Sequence, residues 1–142
     1  MAKITRIDVR IQTGNRDNAG TDGSVFIAIA GREFKLDSAV DDFQKGSDRI
    51  YILGTGGGSG STINNPKIND PASPFALDTG DFEKFPMWIR FEPSGDSPAW
   101  NLEFVSATVN PGTQQVQYQA LAGTNNLWLE QNAGKYCFLK KV

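Results

Sequence analysis

An all-β chain, folded as an antiparallel sandwich or barrel, is predicted by three observations. Apolar residues alternate with polar ones over many short runs. Gly, Pro and Asn punctuate those runs at close spacing, and no segment holds a helical period over three turns. Ile7, Val9 and Ile11 alternate with Arg6, Asp8, Arg10 and Gln12, the pattern of a half-buried strand, and Val25, Ile27 and Ile29 repeat it. Phe34 with Leu36, Ile50 with Ile52, and Met87, Ile89 with Phe91 continue the series of inward positions. Trp100, Leu102 and Phe104 then fall on even numbers but Val105, Ala107 and Val109 on odd ones, which predicts a bulge near Val105-Ser106. Val116, Tyr118 and Ala120, then Leu127-Trp128-Leu129, then Tyr136 to Leu139 complete the strands.

At 142 residues the chain is expected to fold as one domain, 1–142, that buries roughly two-thirds of its unfolded surface. A net charge of −2 and a pI near 5.1 give no basic field for nucleic acid, which is excluded as a partner. Asp occurs 11 times and Glu only 5, a choice that suits turns and metal loops better than helix surfaces. The absence of His removes serine-histidine and cysteine-histidine catalysis. No two acids form a recognisable hydrolase pair, so an enzyme is not expected. Cys137 is the single cysteine, so no disulfide forms within the chain, and its alternating run makes it a small buried hydrophobe. No apolar stretch has bilayer length and the N-terminus enters a strand pattern at once. The chain as given is therefore expected to be cytoplasmic, or secreted by a non-classical or trimmed route.

Gly54-Thr55-Gly56-Gly57-Gly58-Ser59-Gly60-Ser61 fails as a phosphate loop because no Lys-Ser/Thr follows at the required spacing. It reads instead as the start of a flexible Gly/Pro-rich insertion at about 55–86, either a disordered flap or a private binding loop.

Two acidic loops interrupt the strands, Asn15 to Asp22 and Asp37 to Gly46. Asp and Asn favour turns in any β protein, so acidic turns alone are ordinary. Oxygen-rich loops with Gly to free their carbonyls are also what a hard cation with six to eight ligands requires, and calcium is the expected cofactor.

Thr13-Gly14, Asn18-Ala19-Gly20-Thr21-Asp22 and Val25 to Ile29 together resemble the opening of a PLAT domain, the β-sandwich module of lipoxygenases, animal lipases, polycystins and clostridial alpha-toxin phospholipases. The resemblance continues through Leu36-Asp37, Asp41-Asp42-Phe43-Gln44-Lys45-Gly46-Ser47-Asp48, Met87-Trp88-Ile89-Arg90, Trp100 to Val105 and Leu127 to Leu129. It is greatest to the alpha-toxin C-terminal domain, which also joins an NAGTD-type loop to an MWIR-type strand. The resemblance implies an antiparallel eight-stranded β-sandwich. It also implies a ligand set: Asn18 by its side chain, Gly20 by its carbonyl, Asp22 by its carboxylate, and Asp37, Asp41 and Asp42 from the second loop. Asp41 replaces the family's usual Asn and adds charge. Where the family places an acid before the strand-opening aromatic this chain has Pro98-Ala99, and Asp96 is the substitute. Clustered carboxylates repel until a cation binds, so the site is expected to be looser when empty.

Trp88, Trp100 and Trp128 fall in strand patterns and are expected to pack in the core or at edges. The implied function is a non-catalytic calcium-binding module that docks onto an anionic membrane surface or a protein partner. The first loop carries Arg16, Asp17 and Asn18 rather than apolar residues, which argues against deep insertion into lipid. The alternative is a structural or assembly module in which calcium only stiffens the loops.

Overall fold

Alternation along the chain closes two antiparallel sheets face to face in the computed structural model, which describes residues 1–54, 62–95, 99–112, 114–120 and 127–142. The larger sheet holds β1 (Arg6–Thr13), β4 (Asp48–Gly54), β6 (Trp100–Val109), β7 (Val116–Ala120), β8 (Leu127–Leu129) and β10 (Lys140–Lys141). The smaller holds β2 (Ser24–Ile29), β3 (Arg32–Lys35), β5 (Trp88–Glu92) and β9 (Tyr136–Phe138), in the order β3-β2-β5-β9. The sandwich expected from the sequence is thus present, but with ten strands among the described residues rather than eight. One reason is the C-terminal run. Leu139 donates its N–H to Met87 of the smaller sheet, and the next residue, Lys140, pairs with Gln119 of the larger, so one sequence pattern spans two strands. The only helical element among the described residues is a single 3-10 turn, Thr79–Asp81, and none of their helices is long and apolar enough to cross a membrane.

Ile7, Val9 and Ile11 of β1 and Val25, Ile27 and Ile29 of β2 are buried and face each other across the sandwich core, as their period-two spacing requires. The β2–β3 hairpin turns on Ala30-Gly31, both with positive φ, the geometry that matches strand twist in two-residue turns. Two phases depart from expectation. In β4 the inward residues are Tyr51 and Leu53, whereas Ile50 is 56% exposed. In β6 the bulge sits at Glu103 rather than at Val105-Ser106, since Thr13 pairs with Leu102 and Gln12 with Phe104, leaving Glu103 unmatched. Phe104 is accordingly turned outward, with the Arg10 guanidinium 5.7 Å from its ring centroid.

Of the expected insertion, residues 55–61 lie outside the described residues, and 62–86 are neither strand nor free flap. The Arg32 guanidinium donates to the carbonyls of Ile68, Asp70 and Ser73 at 2.7, 2.9 and 2.7 Å. Asn69 Oδ1 accepts the Lys35 N–H, and Thr62 exchanges bonds with Ile52. These contacts lay the segment over the free edges of β3 and β4, where unpaired strand groups would otherwise template another chain. Ile63 is buried, and Leu77 and Phe82 pack against the core.

Candidate calcium site

The loop between β1 and β2 is stitched backbone to backbone onto the loop between β3 and β4. Thr13 N–H donates to the Ser47 carbonyl, Gly46 N–H to that of Gly14, and Thr21 N–H to that of Phe43, at 2.9 to 3.0 Å. Gly20 is required at this crossing, because a Cβ there would stand 2.8 Å from the Lys45 amide nitrogen. Asn18 adopts φ 61°, a left-handed conformation that Asn tolerates better than most residues. The second loop is anchored by Phe43, itself at φ 59°, whose ring packs between Tyr51 and Trp100 at centroid distances of 5.5 and 5.3 Å. Burying that ring stabilises the loop by about 2–3 kcal/mol. Beneath it Trp100 donates its indole N–H to Thr13 Oγ1 at 2.9 Å.

This framework opens a cavity of about 360 Å³ whose lining includes Asp22, Asp37, Asp41 and Asp42, with Lys35 as the one cationic side chain. The four carboxylates are not equivalent. Asp42 accepts three hydrogen bonds, from Ser38 N–H at 2.9 Å, Ser38 Oγ at 2.7 Å and Tyr51 Oη at 2.9 Å. Burial first, and the Asp42 hydrogen bond second, push the Tyr51 hydroxyl far above its ordinary value, so it stays a donor. Asp37 accepts from Asn64 Nδ2 at 3.0 Å, which ties the 62–86 segment to the loop. Asp22 and Asp41 are exposed and make no hydrogen bond or ion pair with another described residue.

Seven residues were expected as ligands. The fold brings Asp22, Asp37, Asp41 and Asp42 together around the cavity, places Asn18 and Gly20 outside its lining, and leaves Asp96 outside the described residues. Among the described residues no group of three acid or cysteine side chains stands close enough to hold a metal ion as arranged. The donor chemistry nonetheless fits calcium: oxygens only, four carboxylates, no nitrogen or sulfur ligand in the lining. Tyr51 is the residue that sequence reasoning missed. Beside the groove, Val40 and Ile50 are 52% and 56% exposed and flank a second cavity of about 310 Å³, an apolar rim that the first loop lacks.

Cys137 is buried, and burial pushes its thiol above the ordinary value, as expected of a packing residue. Trp100 is core, whereas Trp88 and Trp128 are half-buried.

No family model and no curated protein matches the chain. Solved structures do. Alpha toxin from Clostridium absonum superposes with a TM-score of 0.60 at 19% identity, covering 97% of this chain and 32% of the toxin. The fold is PLAT-like. A lipoxygenase in complex with arachidonate gives 0.59 at 19% identity over 96% of this chain and 16% of its own. Coral 8R-lipoxygenase, for which calcium activation via a C2-like domain is described, gives 0.57 at 18% over 96% and 17%. The chain thus spans about a third of the toxin and about a sixth of the lipoxygenases.

Proposed function

We propose that this PLAT-like chain is a non-catalytic, calcium-dependent docking module whose acidic groove faces an anionic membrane surface. The observation that carries it is the pair Asp22 and Asp41, two exposed carboxylates with no hydrogen-bond or ion-pair partner among the described residues, on the rim of a four-carboxylate cavity. With Asp37 they would hold the ion, and Asp42 would join when its Ser38 and Tyr51 bonds are exchanged. Asn18 and Gly20, which lie outside that lining, would serve a second position, and Asp96 lies outside the described residues. Bound calcium supplies positive charge that makes an acidic surface attractive to phosphate headgroups. Val40 and Ile50 would touch the apolar boundary below those headgroups without deep insertion. The likeness to a lipoxygenase described as calcium-activated through a C2-like domain supports this reading.

The three bonds held by Asp42 favour a second reading, a structural module whose loops are already stiff. Thermal melts in calcium, magnesium and chelator separate the two. A ligand that binds only the folded state at a hundredfold excess over Kd stabilises it by about 2.7 kcal/mol, so calcium should raise Tm clearly and magnesium much less. The domain should also sediment with phosphatidylserine vesicles in calcium, lose them in chelator, and bind less at high salt. Identical melts in all three conditions leave only the structural reading. Calcium binding without sedimentation transfers the docking role to a protein partner.

A further inference from the structure

The outer face of the smaller sheet carries two aligned rows of side chains. Register sets Lys35, Phe26, Arg90 and Tyr136 in one row and Glu33, Ala28, Trp88 and Phe138 in the next. Ionic groups tie the rows into a lattice. Arg90 donates to both oxygens of Glu33 at 2.8 and 3.0 Å and to Glu92 at 2.6 Å, Trp88 donates its indole N–H to Glu33 at 3.1 Å, and Lys135 meets Glu92 at 3.3 Å. Two acids and two cations leave the lattice with no net charge, and Lys35 lines the acidic groove instead. Ala28 is the small residue of its row, and Gly31 packs against Phe85, whose ring a Cβ there would meet at 3.3 Å. The surface opens at Ala28 and Gly31 into a hollow of about 150 Å³, lined also by Trp88, Phe85, Glu33 and Arg32. Phe85 is 45% exposed, and Trp88 is braced by the rings of Tyr136 and Phe138 at 5.8 and 6.0 Å.

Size and charge select the occupant. The hollow holds a single ring, since drug-sized ligands take roughly 300 Å³ or more. Hydrocarbon would strand the ionised lattice away from any solvating group, which is costly. An anion finds no net positive charge in the lattice, and the Arg32 guanidinium at the margin is already committed to three carbonyls of the 62–86 segment. A cation would meet Arg90 and Arg32 beside Glu33. A neutral ring with C–H faces and a rim of hydroxyls suits both parts of the site. Its C–H face packs on aromatic carbon, and its hydroxyls take hydrogen-bonding capacity that the lattice leaves unspent. Arg90 makes three hydrogen bonds with its five N–H groups, and Glu33 accepts three at about four lone-pair sites. We propose that this hollow binds a neutral glycan through one glucose-type pyranose. Equatorial hydroxyls leave the faces of such a ring flat and apolar, so it would stack on Trp88 and Phe85 while its hydroxyls bond Glu33 and Arg90.

The test uses the full chain in chelator, so that its outcome is independent of the acidic groove. Cellohexaose, a neutral chain of glucose-type rings, is titrated by calorimetry beside a galacturonate chain of the same length, its anionic counterpart. Cellohexaose should bind about tenfold more tightly or better and blue-shift the tryptophan fluorescence. Trp88→Ala and Phe85→Ala should each weaken its binding roughly tenfold, whereas Trp88→Phe, which keeps a ring, and Glu33→Gln should weaken it severalfold. Thermal melts check folding, and Phe85→Ala, at an exposed ring, carries the test if Trp88→Ala does not fold. No binding of cellohexaose, equal or tighter binding of the galacturonate chain, or an affinity indifferent to Phe85→Ala overturns the proposal. So does the same blue shift with phosphatidylserine vesicles alone, which would make this face a membrane surface.

Discussion

Asp42 and Asp22 line one groove from two loops, and the protein treats them in opposite ways. Asp42 is saturated by Ser38 and Tyr51 and belongs to a loop nailed into the core by Phe43. Asp22 reaches the same cavity from a loop stitched to its neighbour by backbone hydrogen bonds, and its carboxylate is left to solvent. The two residues are alike in type and in their place within acidic motifs. What separates a carboxylate that serves the fold from one available to a ligand is the set of donors already aimed at it.

The comparison breaks most visibly at its anchor. Phe43→Ala should cost about 3–5 kcal/mol by denaturant unfolding, the range for deleting a buried aromatic. A cost below about 1 kcal/mol would mean that the second loop is not built on the core. Asp42→Ala, measured in chelator, should cost about 1–3 kcal/mol because Ser38 and Tyr51 lose their acceptor. A double-mutant cycle with Tyr51→Phe should show coupling, and a neutral or stabilising Asp42→Ala would return the residue to the class of repelling ligands. Asp22→Asn should change stability in chelator by less than about 0.5 kcal/mol. It should nonetheless weaken calcium binding at least tenfold, about 1.4 kcal/mol by calorimetry. Equal effects of the two substitutions on folding would erase the distinction.

The smallest effect lies away from the groove. Arg90 donates to Glu33 and holds its carboxyl below the usual carboxylate range, and Arg10 does the same for Asp48. A carboxylate with a lowered folded-state pKa contributes stability that is present above its unfolded pKa and lost as pH falls through the folded one. Tm should therefore decline on acidification below about pH 4. The Arg10–Asp48 pair is exposed and the Arg90–Glu33 pair half-buried at the surface, so Glu33→Gln should remove about 1 kcal/mol at neutral pH and flatten part of that acid slope. An unchanged slope would show that the acid loss comes from the loop carboxylates instead.

Where one face of a strand is apolar and the other polar, the sequence is transparent: all of Ile7, Val9, Ile11, Val25, Ile27 and Ile29 are buried where their alternation puts them. Ile50-Tyr51-Ile52-Leu53 is apolar in both phases, so alternation carries no information there, and the inward pair is Tyr51 and Leu53 rather than Ile50 and Ile52. The ambiguity reaches the site, because nothing in the pattern marks Tyr51 as the inward hydroxyl that occupies Asp42. Phe104 misplaced the bulge for a related reason, since an outward ring stacked under Arg10 has the same letter as a core ring. The gathering of Asp22, Asp37, Asp41 and Asp42 was legible only through family resemblance, and the tie from Asn64 to Asp37 crosses 27 positions that no local pattern connects.

Glu103 gives β6 a hidden seam. Before it Trp100 and Leu102 point inward, and after it Val105, Ala107 and Val109 do, so this ten-residue strand is two short rulers laid end to end with one tick added. Substituting Glu103 alters a half-buried side chain. Deleting it would join the two into one unbroken alternation, with Trp100, Leu102, Val105, Ala107 and Val109 all still inward and the ladder to β1 regular. What the tick adds is therefore the local bend and twist of a bulge, beside the indole that supports Phe43 and Thr13. A residue can thus be dispensable to the phase of a strand and still set its direction.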